Sequence, residues 1–423
     1  MLKIKVKPED FIVEEVANIS LTQGSDFSVY LLKKRGWNTV DVLKTLSKKL
    51  NLPSSYFSYG GKKDKYALTT QYITIGQCNA GKALSGEDKD AFPRNLRLDP
   101  GLSRAQYLKN ISEIKEICEN NYSLSFVGNM DRPMGPDLIK GNKFHIVVRN
   151  LTGEELSSAL GGIERVKNDG YPNYFDDQRF GSFDSRQGFI AEKILKKHYN
   201  GALKVYFSRI HPEDSKEERS HRKFIFENWG NWQICLENAR SKFEKESFQF
   251  LTKNPMGFLP ILQRISHEEM VLFFSAYQSH LWNEVLRKII KSVYTNALKI
   301  YEGIAGNYYF YTQMEARNKE YLRTLIIPMP ASNIKMPDTL TKSLYLEVLQ
   351  EHQLRPALFN IKKLRQAFFK GIERRATIIP ENLIVEYSDD EIYPGKKKLI
   401  LDFFLPRGCF GTMFVKRIFN ENS

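Results

Sequence analysis

The stretch GGKKDK (60–65) sets one carboxylate, Asp64, among Lys62, Lys63 and Lys65, just ahead of a strand-like run of Thr, Tyr and Ile. A carboxylate taken into a pocket keeps its charge only where a cation compensates for the water it loses. The spacing is not the GxxxxGK[ST] of a phosphate-cradling loop, and Gly-Gly followed by Lys-Asp is also ordinary turn chemistry. A second stretch, NYFDDQRFG (173–181), is equally ambiguous. Asp176 and Asp177 could hold a metal, whereas Asn173, Arg179 and the aromatics could simply order a loop. Adjacent carboxylates without a nearby His or Glu at ligand spacing are a weak metal signal. The histidines form no HExxH or HxH pair, and Cys78, Cys118, Cys235 and Cys409 are too far apart for a CxxC pair. Those cysteines read as buried thiols in a reducing compartment.

These residues need a scaffold. At 423 residues the chain exceeds one ordinary domain, so two domains, or a core with a large insertion, are expected. With 42% hydrophobic and 26% charged residues it reads as globular, and its formal charge of +14 favours a polyanionic partner. The start, MLKIKVKPEDF, lacks the apolar core of a signal peptide, and no run of about 18 uncharged apolar residues occurs. A cytoplasmic protein with no membrane association is expected.

Alternation of Leu2, Ile4 and Val6 with Lys3, Lys5 and Lys7 predicts a first strand with a basic face. FSVYLL (27–32), QYITI (71–75), YSLSFV (122–127) and KFHIVVR (143–149) predict further strands. Helices are expected over 40–50, 154–167 and 270–290, the last with Phe274, Tyr277, Leu281, Val285 and Leu286 as core residues. The charged run 212–223 reads as a solvated connector in a mainly helical middle. Strand signals return at 382–387, 397–405 and 411–419, which suggests a split sheet interrupted by an insertion.

Several stretches occur together in order: LKIKVKPEDFIVEE (2–15), KRGWNT (34–39), GKKDKYALTTQ (61–71), KGNKF (140–144), NYFDDQRFG (173–181) and GCFGT (408–412). In this combination the chain resembles the TruD family of pseudouridine synthases. The resemblance implies an α+β fold: a mixed, largely antiparallel pseudouridine-synthase sheet flanked by helices, with a large, mostly helical insertion (the TRUD domain). The catalytic core would comprise 1–184 and 386–423, and the insertion 185–385. Two departures stand out. Asp176 occupies a position where the family usually has glycine, which would alter the loop's backbone angles, and VKRIF (415–419) stands where an Arg-Glu pair is usual.

The resemblance further implies isomerisation of a uridine in tRNA, near position 13 of the D-arm. The N1–C1′ glycosidic bond is cleaved, the uracil turned, and C5 joined to C1′. Asp64 would be the nucleophile or base, Lys5 its ion-pair partner, Phe175 the stacking platform for the flipped base and Asn173 an active-site hydrogen-bonding group. Lys63, Gln178, Arg179 and Phe410 would hold the site or touch the substrate. No net redox change or hydrolysis occurs, so no cofactor or metal is implied. RNA is the expected partner, with no obligate protein partner. Two rival classes stay open: a non-catalytic RNA-binding protein on this fold, and a metal-dependent nuclease using Asp176, Asp177, Asp389 and Asp390.

Overall fold

The computed structural model describes residues 2–23, 26–76, 114–211, 213–361, 364, 369 and 371–420. Its contacts divide the chain into two compact units, Met1–Leu160 with Pro380–Gly411, and Gly161–Ile379 with Thr412–Ser423. Residues 161–184 and 412–420, placed in the catalytic core from sequence, fall in the second unit.

The first unit is built on one ten-stranded sheet. Its strands in chain order are β1 (Lys3–Ile4), β2 (Phe11–Ala17), β3 (Phe27–Arg35), β4 (Phe57–Tyr59), β5 (Leu68–Gly76), β6 (Glu116–Cys118), β7 (Tyr122–Met130), β8 (Ile139–Leu151), β9 (Glu381–Asp389) and β10 (Lys397–Pro406). The spatial order is β9-β10-β8-β2-β5-β3-β7-β6, with β1 on β8 and β4 on β5. Among the described residues only the β2–β5 pairing of this sheet is parallel. The last two strands thus return to a sheet begun more than two hundred positions earlier, as the split strand signals suggested. At Gly141 the neighbouring β10 leaves no room for a side chain: a Cβ there would sit 2.2 Å from the Leu405 carbonyl oxygen.

Helix Thr39–Lys49 covers one face of this sheet. Val42, Leu43 and Leu46 recur at helical spacing and pack against Tyr30, Leu32, Ile73 and Leu124, each burial stabilising by about 1.5–3 kcal/mol. Asp41 in its first turn and Lys48 and Lys49 in its last complement the helix dipole.

The second unit is mainly helical, around helix His267–Val293. Ser266 caps that helix, and Phe274, Tyr277, Leu281, Val285 and Leu286 are buried as their spacing required. Among the described residues no helix is long and apolar enough to cross a membrane.

Four local expectations are corrected. The first strand ends at Ile4, because Lys5 has φ 60°, so Lys5 lies past the strand and not on a basic strand face. Helix Lys216–Glu227 occupies most of the expected connector; Ser215 and Glu218 close a capping box, and His221 and Ile225 are buried. Residues Gly411–Phe419 form a helix, burying Phe414, Arg417 and Ile418 at helical spacing; a short apolar run does not distinguish the two states. Cys235 is buried, but Cys118 is exposed and Cys409 half-buried, while Cys78 lies outside the described residues.

Candidate active site

Asp64 sits in the loop between β4 and β5, and three elements of the first unit converge on it. Its Oδ2 pairs with the Lys5 ammonium, the two side chains being 17% and 15% exposed. Left-handed backbone at Lys5 is what ends β1 and turns this side chain; a non-glycine residue held there costs on the order of 1 kcal/mol, a strain that functional sites often carry. The Lys5 ammonium also lies 4.3 Å from the Phe11 ring centroid. The other carboxylate oxygen, Oδ1, accepts the Tyr66 main-chain N–H at 3.0 Å, an Asx turn that fixes the carboxylate's direction. From β3, Lys34 donates to the Asp64 carbonyl oxygen at 2.6 Å.

The rest of the loop is anchored with equal density. Lys63 Nζ meets Glu15 Oε2 at 2.7 Å and donates to Asn142 Oδ1 at 2.7 Å, while its N–H donates to Thr39 Oγ1 at 3.1 Å. Thr39 donates to Gln71 Oε1 at 2.8 Å, and Gln71 Nε2 donates to the Gly61 carbonyl at 3.1 Å. Lys63 therefore holds the loop to β2 and β8, whereas Lys62 is exposed. The arrangement presents a largely desolvated, cation-paired carboxylate on a rigid loop, suited to attack an electrophilic carbon or remove a proton.

The NYFDDQRFG stretch forms a second cluster, in the other unit. Asn283, on the long helix, accepts the Phe175 N–H and donates to its carbonyl, both at 2.9 Å. The Phe175 ring is 7% exposed; the Arg374 guanidinium lies 4.1 Å from its centroid and Trp282 meets it edge-on at 5.6 Å. Arg374 also donates to the Asn173 carbonyl (2.9 Å) and to Asn173 Oδ1 (2.7 Å), while Asn173 Nδ2 donates to the Arg375 carbonyl at 3.1 Å. Gln178 and Arg179 are exposed, with Arg179 Nε donating to Ser279 Oγ at 3.3 Å. Phe410 is half-buried in the turn after β10, in the first unit.

The two sequence departures meet. Asp176 has φ −79° and ψ 163°, ordinary extended backbone, so aspartate in place of glycine does not force unusual angles. Its buried carboxylate accepts from Thr412 Oγ1 and Lys416 Nζ, both at 2.6 Å, and Lys416 also contacts Asp177 Oδ2 at 2.5 Å. Burial disfavours the Lys416 ammonium, but Asp176 and Asp177 outweigh it and hold the group above the usual lysine value. Asp177 additionally accepts from Tyr308 Oη at 2.8 Å, and burial followed by that carboxylate pushes the Tyr308 phenol well up.

Each carboxylate of the nuclease reading is engaged by a cation, Asp176 and Asp177 by Lys416. Asp389 takes Lys397 at 2.6 Å, and Asp390 takes Arg149 Nη1 at 2.9 Å together with the Asn150 N–H at 2.9 Å. Among the described residues no three His, Cys, Asp or Glu side chains group as a metal site requires. Sequence motifs contained Lys34, Thr39, Gln71 and Glu15 but did not reveal their tasks. For Arg374 and Asn283 no local signal exists.

Comparison with known proteins bears on the family to which the chain belongs. The family model for tRNA pseudouridine synthase D (TruD) matches residues 2–91 and 103–418. The probable tRNA pseudouridine synthase D 1 of Methanococcus maripaludis is 30% identical over 426 residues, spanning 99% of this chain and 100% of the relative. The tRNA pseudouridine synthase D of Aquifex aeolicus is 27% identical over 424 residues, spanning 99% and 98%. A solved structure of the putative tRNA pseudouridine synthase D from Methanosarcina mazei superposes with TM-score 0.66 at 22% identity, over 98% of this chain and 93% of the other, and so shares the fold. With its family model matched along nearly the whole sequence, this chain belongs to the TruD family of tRNA pseudouridine synthases.

Proposed function

We propose that the chain isomerises a uridine of tRNA, near position 13 of the D-arm, to pseudouridine, with Asp64 as its nucleophile or base. The observation that carries this reading is the Lys5–Asp64 ion pair on a loop fixed from β2, β3, β5 and β8. An ionised carboxylate serves each route to N1–C1′ cleavage: attack on the sugar, attack on the base, or removal of a ribose proton. The uracil turns without being released, C5 joins C1′, and the C5 proton leaves. Lys5 is the counter-ion of the carboxylate in a partly desolvated site.

Phe175 is the stacking platform for the extruded base, whose lost stacking an aromatic face can replace. Because Arg374 and Trp282 already contact the ring, an arriving base replaces a present neighbour. Phenylalanine has no proton to exchange, so the C5 proton goes to Asp64 or water. Asn173 shapes this loop through Arg374 and the Arg375 carbonyl, and substrate contact is assigned to the exposed Gln178 and Arg179 and to the half-buried Phe410. In this reading residues 185–385 are the insertion that recognises folded RNA by phosphate and shape, and the enzyme works in the cytoplasm without cofactor or metal.

The test incubates purified protein, in EDTA, with tRNA from cells lacking this activity, and maps pseudouridine by carbodiimide-dependent reverse-transcription stops. New stops without strand scission are expected. Bound but unmodified tRNA would leave only an RNA-binding role, and scission on restoring metal would establish a nuclease.

A further inference from the structure

Lys34 has no part in the reaction as set out above, yet it is the most deeply enclosed lysine near Asp64. On β3, alternate residues Tyr30, Leu32 and Lys34 share one face, and the first two belong to the core beneath helix Thr39–Lys49. Lys34 continues that apolar face to the Asp64 loop, and its relative exposure is 0%. A long cationic side chain is almost never enclosed without a reason, because desolvating an ammonium is unfavourable unless a partner compensates. The partner is the main-chain carbonyl of the proposed catalytic residue, at 2.6 Å.

We infer that Lys34 is a positioning residue for Asp64, its enclosed ammonium gripping the Asp64 carbonyl so that the carboxylate is held at a fixed depth and direction beside Lys5. The inference deepens the proposed role of Asp64 and rests on it. Each contact restrains a different part of one residue: Lys34 the carbonyl, the Tyr66 N–H one carboxylate oxygen and Lys5 the other. Without the first, the peptide at 64 can rotate and carry the carboxylate with it. A displacement of about 1 Å at a reacting group lowers a rate on the order of 10²-fold.

The grip is strongest with a protonated amine. Burial lowers Lys34 to about 8, with Asp64 opposing the shift and Lys63 adding to it. Those two loop residues are the charged groups acting on it, and its strand partners are Thr69 on β5 and Tyr122 on β7. As pH passes upward through that value, the ammonium loses the charge that strengthens its hydrogen bond.

The test measures single-turnover isomerisation at saturating enzyme, from about pH 7 to about pH 9.5, for wild type, Lys34→Met, Lys34→Arg and Asp64→Asn, with tRNA affinity measured in parallel. Lys34→Met should lose on the order of 10²-fold in rate at neutral pH with affinity unchanged, and lack the fall that wild type shows above about pH 8. Lys34→Arg, which cannot deprotonate, should recover part of the rate and also lack that fall. Wild-type rate and pH profile in Lys34→Met, with Asp64→Asn inactive, overturns the Lys34 inference alone. Turnover by Asp64→Asn overturns the proposed function, and this inference with it. If Lys34→Met fails to fold, the comparison of wild type with Lys34→Arg decides: an identical alkaline limb in both overturns the inference.

Discussion

Lys416 offers the sharpest quantitative test of the loop that carries Phe175. Its ammonium touches Asp176 and Asp177, with side-chain exposures of 14%, 4% and 21% respectively. Lys416→Met leaves the Asp176 carboxylate enclosed with Thr412 but no cation. Removing one partner of a buried pair costs about 3–5 kcal/mol, mostly from the charge left behind. Asp176→Asn should cost less, about 1–2 kcal/mol, because Lys416 keeps Asp177 and the amide still accepts from Thr412. In the Asp176→Asn background the lysine faces one half-solvated carboxylate, so Lys416→Met should then cost about 1–2 kcal/mol. The coupling energy is therefore about 2 kcal/mol, to be read from urea denaturation of the four proteins, following the intrinsic fluorescence to which Trp282, beside Phe175, contributes. Additivity to within about 0.5 kcal/mol would refute the pairing. The pH dependence has a definite sign. The Lys416 ammonium is favoured in the folded state, so its contribution is complete throughout neutral pH and disappears only above the ordinary lysine range.

Three other outcomes follow from the site. Asp64→Asn should bind tRNA as wild type does while isomerisation falls below detection in the carbodiimide assay; appreciable turnover would remove Asp64 from the chemistry. Lys5→Met deprives that carboxylate of its counter-ion and should lower the single-turnover rate about 10-fold or more at neutral pH with little change in affinity, and an unchanged rate would make Lys5 a structural lysine. Affinity for tRNA should fall steeply, on the order of 10³-fold, between about 50 and about 200 mM salt if six or more phosphates are neutralised, whereas a shallow response would mean recognition is mainly apolar or base-directed.

The sheet was legible because its strands alternate or run apolar over lengths that helices do not use, and the long helix because Phe274, Tyr277 and Leu281 keep a 3.6-residue period. Residues 411–419 were not, since Met413, Phe414 and Val415 in succession suit a buried strand as well as a helix. The Lys5–Asp64 pair was reached through family resemblance; periodicity alone placed Lys5 on a strand that in fact stops one residue earlier. For Lys34 a signal existed in the period-two reading of FSVYLLKKR, which puts a lysine inward after Tyr30 and Leu32. Arg374 gave none, because its contacts with Asn173 and Phe175 depend on how a distant segment folds back.

The same contacts change what the net charge of +14 means. Lys5, Lys63 and Lys416 pair with carboxylates, and Arg149 is enclosed by Asp10, Asp390 and Glu391. Such pairs contribute almost nothing to the field outside the protein, because each cation is cancelled a few ångströms away. The positive surplus must then reside among exposed side chains such as Lys62, where salt can screen it. Two electrostatic tasks thus fall to different lysines. Enclosed ones fix carboxylates and loops at short range and should respond to substitution but weakly to salt, while exposed ones attract RNA at long range and should respond strongly to salt. Measuring rate and affinity separately against salt would distinguish the two groups residue by residue.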